Sequence, residues 1–95
     1  MHIDELKEKR DQILDIAERN GARSIRVFGS IARGEAGSDS DVDFLVELEP
    51  GKTLFDIIAM KQDLEDLLLC KVDVVTRKAV SPYIRGKIDA DAIAL

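Results

Sequence analysis

The chain has 95 residues, 45% hydrophobic and 35% charged, with 14 Lys and Arg against 19 Asp and Glu and a net charge of −5. That is enough for one small domain with a modest core, and nothing approaches the roughly 18 consecutive apolar residues of a membrane span. The acidic balance argues against a duplex-binding protein, whose contacts to the phosphate backbone demand a basic face, and the single cysteine, Cys70, excludes an internal disulfide.

In chain order, Asp4 to Asn20 predicts a helix, with Leu6, Ile13, Leu14, Ile16 and Ala17 spaced among charges, Asp4 as its cap and Gly21 as its stop. His2, the only histidine, sits at the terminus and receives no catalytic role. Ser24 to Phe28 reads as a short strand, broken by Gly29-Ser30 just before a helical turn at Ile31-Ala32-Arg33. The turn-forming string Gly37-Ser38-Asp39-Ser40, with Asp39 as a turn residue, leads into a Val-, Leu- and Phe-rich strand from Asp41 to Leu48 that Pro50-Gly51 ends.

Thr53 caps a second long helix running to about Leu69, with Leu54, Ile57, Ile58, Leu64, Leu67 and Leu68 assigned to the core. Cys70 at its end reads as a buried small hydrophobe. Lys71 to Thr76 is the third strand, and Ser81-Pro82 starts a last helix through roughly Asp89, with Tyr83 a packing residue. Ala90 to Leu95 reads as a docking tail whose Ile93 and Leu95 offer apolar contact surface. The late basic residues Arg77, Lys78, Arg85 and Lys87 are solvated surface charge, or else contacts for a triphosphate tail or an acidic partner. No repeat, linker or low-complexity segment interrupts the pattern, so one domain over 1–95 is expected. With no signal-peptide pattern ahead of the first helix, the expected location is cytoplasmic.

The chemistry concentrates in Gly29-Ser30, ten residues, then Asp41-Val42-Asp43. Strand alternation puts Asp41 and Asp43 on one face with Cα atoms roughly 6.6 Å apart, close enough to grip one Mg²⁺ or flank a pair of ions. Val42, Phe44 and Val46 then face a core. Like charges on a half-buried surface repel and lose hydration unless a cation or hydrogen bonds compensate, and a metal explains them economically. Gly29 lets the backbone approach a phosphate, Ser30 offers a hydroxyl and an N–H, and Arg33 adds a cation for phosphate oxygens or for a salt bridge to Glu35 or Asp39.

Rival motifs fail on spacing. Asp39, Asp41 and Asp43 mimic the opening of an EF-hand loop, but Phe44 occupies its glycine position and Pro50 its terminal glutamate position. The Gly29 to Gly34 stretch lacks the Gly-Lys-Ser/Thr ending of a P-loop, and there is no Gly-x-Gly-x-x-Gly.

The run Gly29-Ser30-Ile31-Ala32-Arg33-Gly34, followed by Ser40-Asp41-Val42-Asp43-Phe44-Leu45-Val46, resembles the signature of the DNA polymerase β nucleotidyltransferase superfamily. It is most similar to the minimal nucleotidyltransferases, the MntA-like antitoxins found beside HEPN-domain toxins. The resemblance implies an α/β (α+β) fold with a mixed three- to four-stranded sheet flanked by helices. It implies that Gly29 and Ser30 bind the nucleotide, where Arg33 joins them on its charge, and that Asp41 and Asp43 bind catalytic Mg²⁺, with two ions expected. A third carboxylate, for catalysis and metal, would come from the later strand, whose only candidate is Asp73. It further implies transfer of AMP from ATP to a tyrosine hydroxyl of a HEPN-type toxin; whether the chain forms a homo- or hetero-oligomer is left open by the sequence. Two readings of other classes stand beside it: a non-catalytic module that neutralises its partner by occlusion, and a small-molecule enzyme of the aminoglycoside-modifying type.

Overall fold

The computed structural model describes residues 2–34 and 41–95. The turn string at 37–40, Asp39 within it, and Glu35 lie outside the described residues. The elements are α1 (Ile3–Glu8), α2 (Arg10–Arg19), β1 (Ala22–Phe28), β2 (Val42–Leu48), α3 (Leu54–Leu68), β3 (Val72–Thr76), a 3₁₀ turn (Arg77–Ala79), α4 (Pro82–Asp91) and β4 (Ile93–Ala94).

The four strands form one mixed sheet in the order β3-β2-β1-β4, with β2 parallel to β3 and the other pairs antiparallel. Parallel neighbours cannot be joined by a tight turn, so the chain crosses over through α3. The capping box that starts α3 is formed: the Thr53 N–H donates to Asp56 Oδ2 at 2.8 Å and the Phe55 N–H to Thr53 Oγ1 at 3.3 Å. Leu69 ends it in the left-handed region at φ 57. The Val72 N–H then donates to Glu65 Oε2 of α3 at 3.2 Å, which ties the start of β3 to the crossover helix.

Alternation along β1, β2 and β3 sends Ile25, Val27, Val42, Phe44, Val46 and Val72 into a core shared with Leu6, Ile13 and Ile16 of the first helices and Met60, Leu64 and Leu68 of α3. Leu45, on the opposite face of β2, and Val80 are buried outside that cluster. Among the described residues, no helix is long and apolar enough to cross a membrane.

Several expectations change. The first helix is two, divided at Lys9, which ends α1 and begins α2. Lys9 Nζ reaches the Leu67 carbonyl at 3.4 Å, near the C-terminal end of α3, where unpaired carbonyls attract a cation. Asp4 sits in the first turn of α1, and His2 holds the cap position. Leu54 and Ile58 are 71% and 55% exposed, while Met60, unassigned from sequence, is fully buried. At about 100° per residue Ile58 is turned roughly 120° from Leu64, so the apolar arc of α3 is wider than the sheet can cover. Tyr83 is exposed, Cys70 is half-buried, and the C-terminal tail adds a strand, with Val27 opposite Ile93 and Arg26 opposite Ala94.

Phe44→Ala or Met60→Ala is expected to destabilise the chain by about 2–5 kcal/mol in denaturant titrations followed by circular dichroism. Phe55→Ala, at 81% exposure, is expected to stay within about 0.5 kcal/mol of the unsubstituted chain.

Candidate active site

Gly29 lies directly after β1 with φ +79, a conformation that L side chains rarely adopt. Space forbids a side chain as well, since a Cβ there would collide with Asp43 Oδ2 and come within 3.3 Å of its Cγ. The backbone is thus drawn tight against the carboxylate. From Gly29 the chain makes a single turn, closed by the Arg33 N–H donating to the Gly29 carbonyl at 3.1 Å and the Gly34 N–H to the Ile31 carbonyl at 3.1 Å. Buried Ile31 anchors that turn to the core, leaving Ser30 half-exposed upon it.

The strand register sets the carboxylates. Asp43 stands opposite Phe28 on β1 and opposite Asp73 on β3. The Val42 N–H extends that pairing by donating to the Lys71 carbonyl at 3.1 Å. Asp73 and Asp41 are exposed and Asp43 is half-buried. Burial pushes the Asp43 carboxyl above its ordinary value of 3.8, and the negative charges of Asp73 and Asp41 push it the same way. Arg33 pulls against them, and a hydrogen bond with Asp73 further favours the protonated acid.

The structure therefore gathers Gly29, Asp43, Asp73 and Arg33 at one end of the sheet, with Asp41 one residue ahead of β2 and within reach of Asp43 by charge. Among the described residues, no three His, Cys, Asp or Glu side chains stand together closely enough to hold a metal ion, so Asp41 is not drawn into a trio with Asp43 and Asp73. The converging pair is Asp43 with Asp73. Its chemistry suits a hard divalent cation: oxygen donors only, and negative charge that repels itself until a cation neutralises it.

Sequence reasoning missed Asp89 and Asp91. Arg33 Nη1 lies 3.1 Å from Asp91 Oδ2 at the end of α4. Asp89 takes Arg77 at 2.8 Å and Arg26 of β1 at 3.6 Å. Arg33 and Asp91 are separated by 58 positions, and no local pattern marks the pair.

Residues 5–95 match the family profile described as the nucleotidyltransferase domain. The chain belongs to that family. It is accordingly an enzyme of the nucleotidyltransferase class, and its four-stranded mixed sheet is the small α+β fold expected from the signature. A protein of Methanocaldococcus jannaschii that carries the provisional name protein adenylyltransferase MJ0435 is 38% identical over 93 residues, 98% of this chain and 97% of its own length. Protein adenylyltransferase MntA of Thermococcus cleftensis is 46% identical over 70 residues, 74% of this chain and 71% of MntA. A solved structure provisionally described as a minimal nucleotidyltransferase is 43% identical with a TM-score of 0.90, covering 100% of this chain and 97% of that one. A toxin–antitoxin crystal structure with AMP-PNP has a TM-score of 0.76 over 88% of this chain and 69% of that one, and at 21% identity the likeness is one of fold.

Because the folded Asp43 binds its proton more tightly than an unfolded aspartate, the nucleotidyltransferase loses stability as pH rises through and above 3.8. In chelator at neutral pH, Asp43→Asn is expected to melt at a higher temperature than the unsubstituted chain, with the gap closing below that value. A lower melting temperature for the variant at neutral pH would contradict the repulsion.

Proposed function

We propose that this chain transfers AMP from ATP to a hydroxyl on a partner protein, a tyrosine of a HEPN-family toxin, and serves as that toxin's antitoxin. The observation that carries the reading is the register of β2 with β3, which sets Asp43 opposite Asp73 beside the glycine turn at Gly29. The 46% identity to MntA supports protein as acceptor, and the fold shared with a toxin–antitoxin complex supports a toxin as partner.

In this reading Gly29 and Ser30 hold the β- and γ-phosphates through backbone N–H groups and the Ser30 hydroxyl, and Arg33 adds charge to the same oxygens. Asp41, Asp43 and Asp73 would hold two Mg²⁺ ions, whose chemistry is to neutralise charge building at the α-phosphate and on the departing pyrophosphate. Asp73, the exposed member of the opposed pair, orients the acceptor hydroxyl and takes its proton. The acceptor oxygen bonds to the α-phosphorus as the bond to the β-phosphate oxygen breaks, and pyrophosphate leaves. Arg33 serves the phosphates without leaving its turn, since Asp91 holds it at 3.1 Å.

The test is intact mass of the adjacent-gene partner after incubation with the chain, Mg²⁺ and α-labelled ATP. One or more AMP units are expected on the partner with the unsubstituted chain and none with Asp41→Asn/Asp43→Asn. Gly29→Ala, which disturbs the turn and Asp43 together, is expected to slow transfer by about a hundredfold. No AMP from any nucleoside triphosphate, with tight partner binding by both forms, would leave inhibition by occlusion.

A further inference from the structure

The end of the sheet away from Asp43 carries a separate concentration of charge. The last residues of β2, the turn after it, the start of β1, the 3₁₀ turn and α4 enclose a cavity of about 480 Å³. Arg23, Lys52, Arg77, Lys78 and Arg85 line it, against the carboxylates of Glu47 and Glu49. In a chain of net charge −5 such a gathering of cations runs against the overall composition.

Not all of these cations are neutralised internally. Arg23 is 4.0 Å from Glu49, and Arg77 is held by Asp89 at 2.8 Å. Asp89 is close enough to feel Arg85, but it is already shared by Arg77 and Arg26. Among the described residues, Lys52, Lys78 and Arg85 have no carboxylate within ion-pair distance. Arg85 is half-buried; one Nη donates to the Val80 carbonyl at 3.1 Å, while its Nε is buried and finds no acceptor. A buried donor left so is rare, and it belongs to a side chain that lines the cavity.

Lys52 lines the cavity from the turn after β2. Its aliphatic stem packs over Gly21, where an added Cβ would come within 2.8 Å of the Lys52 Cγ. Gly21 has φ +82 and no side chain, which leaves room for the exposed lysine's stem to lie along it. Lys52, Lys78 and Arg85 thus come from three separate segments and line one space.

We propose that this cavity is a second, metal-independent anion site that takes a polyphosphate group, either free or on a nucleotide. Three cations without an internal carboxylate in ion-pair reach suit a polyvalent anion, and the arginine fork and lysine ammonium groups match phosphate oxygens. The volume is too large for a lone carboxylate and falls in the range of small-ligand pockets. Four strand residues, about 13 Å, separate Asp43 from Glu47, so a triphosphate gripped at Gly29 leaves the cavity empty.

The test is isothermal titration of the full chain in chelator with tripolyphosphate, ATP and adenosine in turn. Saturable binding of tripolyphosphate, one per chain, is expected, with none for adenosine. The double variant Lys52→Gln/Lys78→Gln is expected to weaken it by about tenfold or more. Arg85→Gln should weaken it too, with its melting temperature measured alongside to show that the chain is folded. Tighter binding of ATP than of tripolyphosphate would make the natural ligand a nucleotide, and equal binding the polyphosphate itself. Asp41→Asn/Asp43→Asn should abolish AMP transfer and leave this binding intact, which separates the two sites. Heat that does not saturate, affinity unchanged by Lys52→Gln/Lys78→Gln, or binding lost in the aspartate variant would each overturn the proposal.

Discussion

The parallel pairing of β2 with β3 is the constraint on which the site depends. It places Asp43 and Asp73 side by side and at the same time sends Val42, Phe44 and Val72 into the core. A slip of one residue would turn every side chain of one strand to the opposite face, putting an aspartate where the core requires a valine. The crossover guards against that slip at several points. The capping box fixes where α3 starts, the left-handed Leu69 fixes where it stops, and Glu65 receives the N–H of Val72. Core packing and the geometry of the candidate site are therefore specified by the same register.

The two faces of the sheet are held by different physics. On one, Leu6, Ile13, Phe44, Met60 and Leu64 are fully buried, and removal of apolar surface from water supplies most of the stability. On the other, α4 buries no residue completely and is joined to the sheet and turn by Asp89 and Asp91 reaching Arg26, Arg77 and Arg33. Ion pairs of this exposed kind are individually worth about 0–1 kcal/mol. Their value here is positional: Asp91 restrains Arg33 beside a carboxylate cluster whose repulsion Arg33 partly offsets. The short strand β4 follows directly and pins the end of α4 to β1.

Charge is sorted along the sheet. Carboxylates gather where β2 and β3 begin, and cations gather where they end. Each gathering is costly in isolation and each is suited to a ligand of the opposite sign, a divalent cation at one end and a polyphosphate at the other. The modest core leaves both ends of the strands open to solvent, so a small chain presents two distinct charged surfaces.

The sequence by itself determined most of the elements and the family. Alternation in Val42 to Leu48, the Thr53 and Ser81 caps and the glycine at Gly29 are local signals, because strand pleat, capping and left-handed backbone depend on near neighbours. The spacing of Gly29-Ser30 from Asp41 and Asp43 likewise carried the family, and family membership carried Asp73. What local pattern lacks is any measure of which face meets a partner. The apolar arc of α3 was legible, but only contact with the sheet chose Met60 over Leu54 and Ile58. The break falls at Lys9, whose side chain reaches a carbonyl of α3, and the tail forms a strand along the edge of β1. The adjacency of Asp43 with Asp73, the hold of Asp91 on Arg33 and the cluster of cations around Arg85 are all contacts between distant segments. Only the tertiary structure decided those, since strand register and ion pairing are settled by the packing of the whole chain.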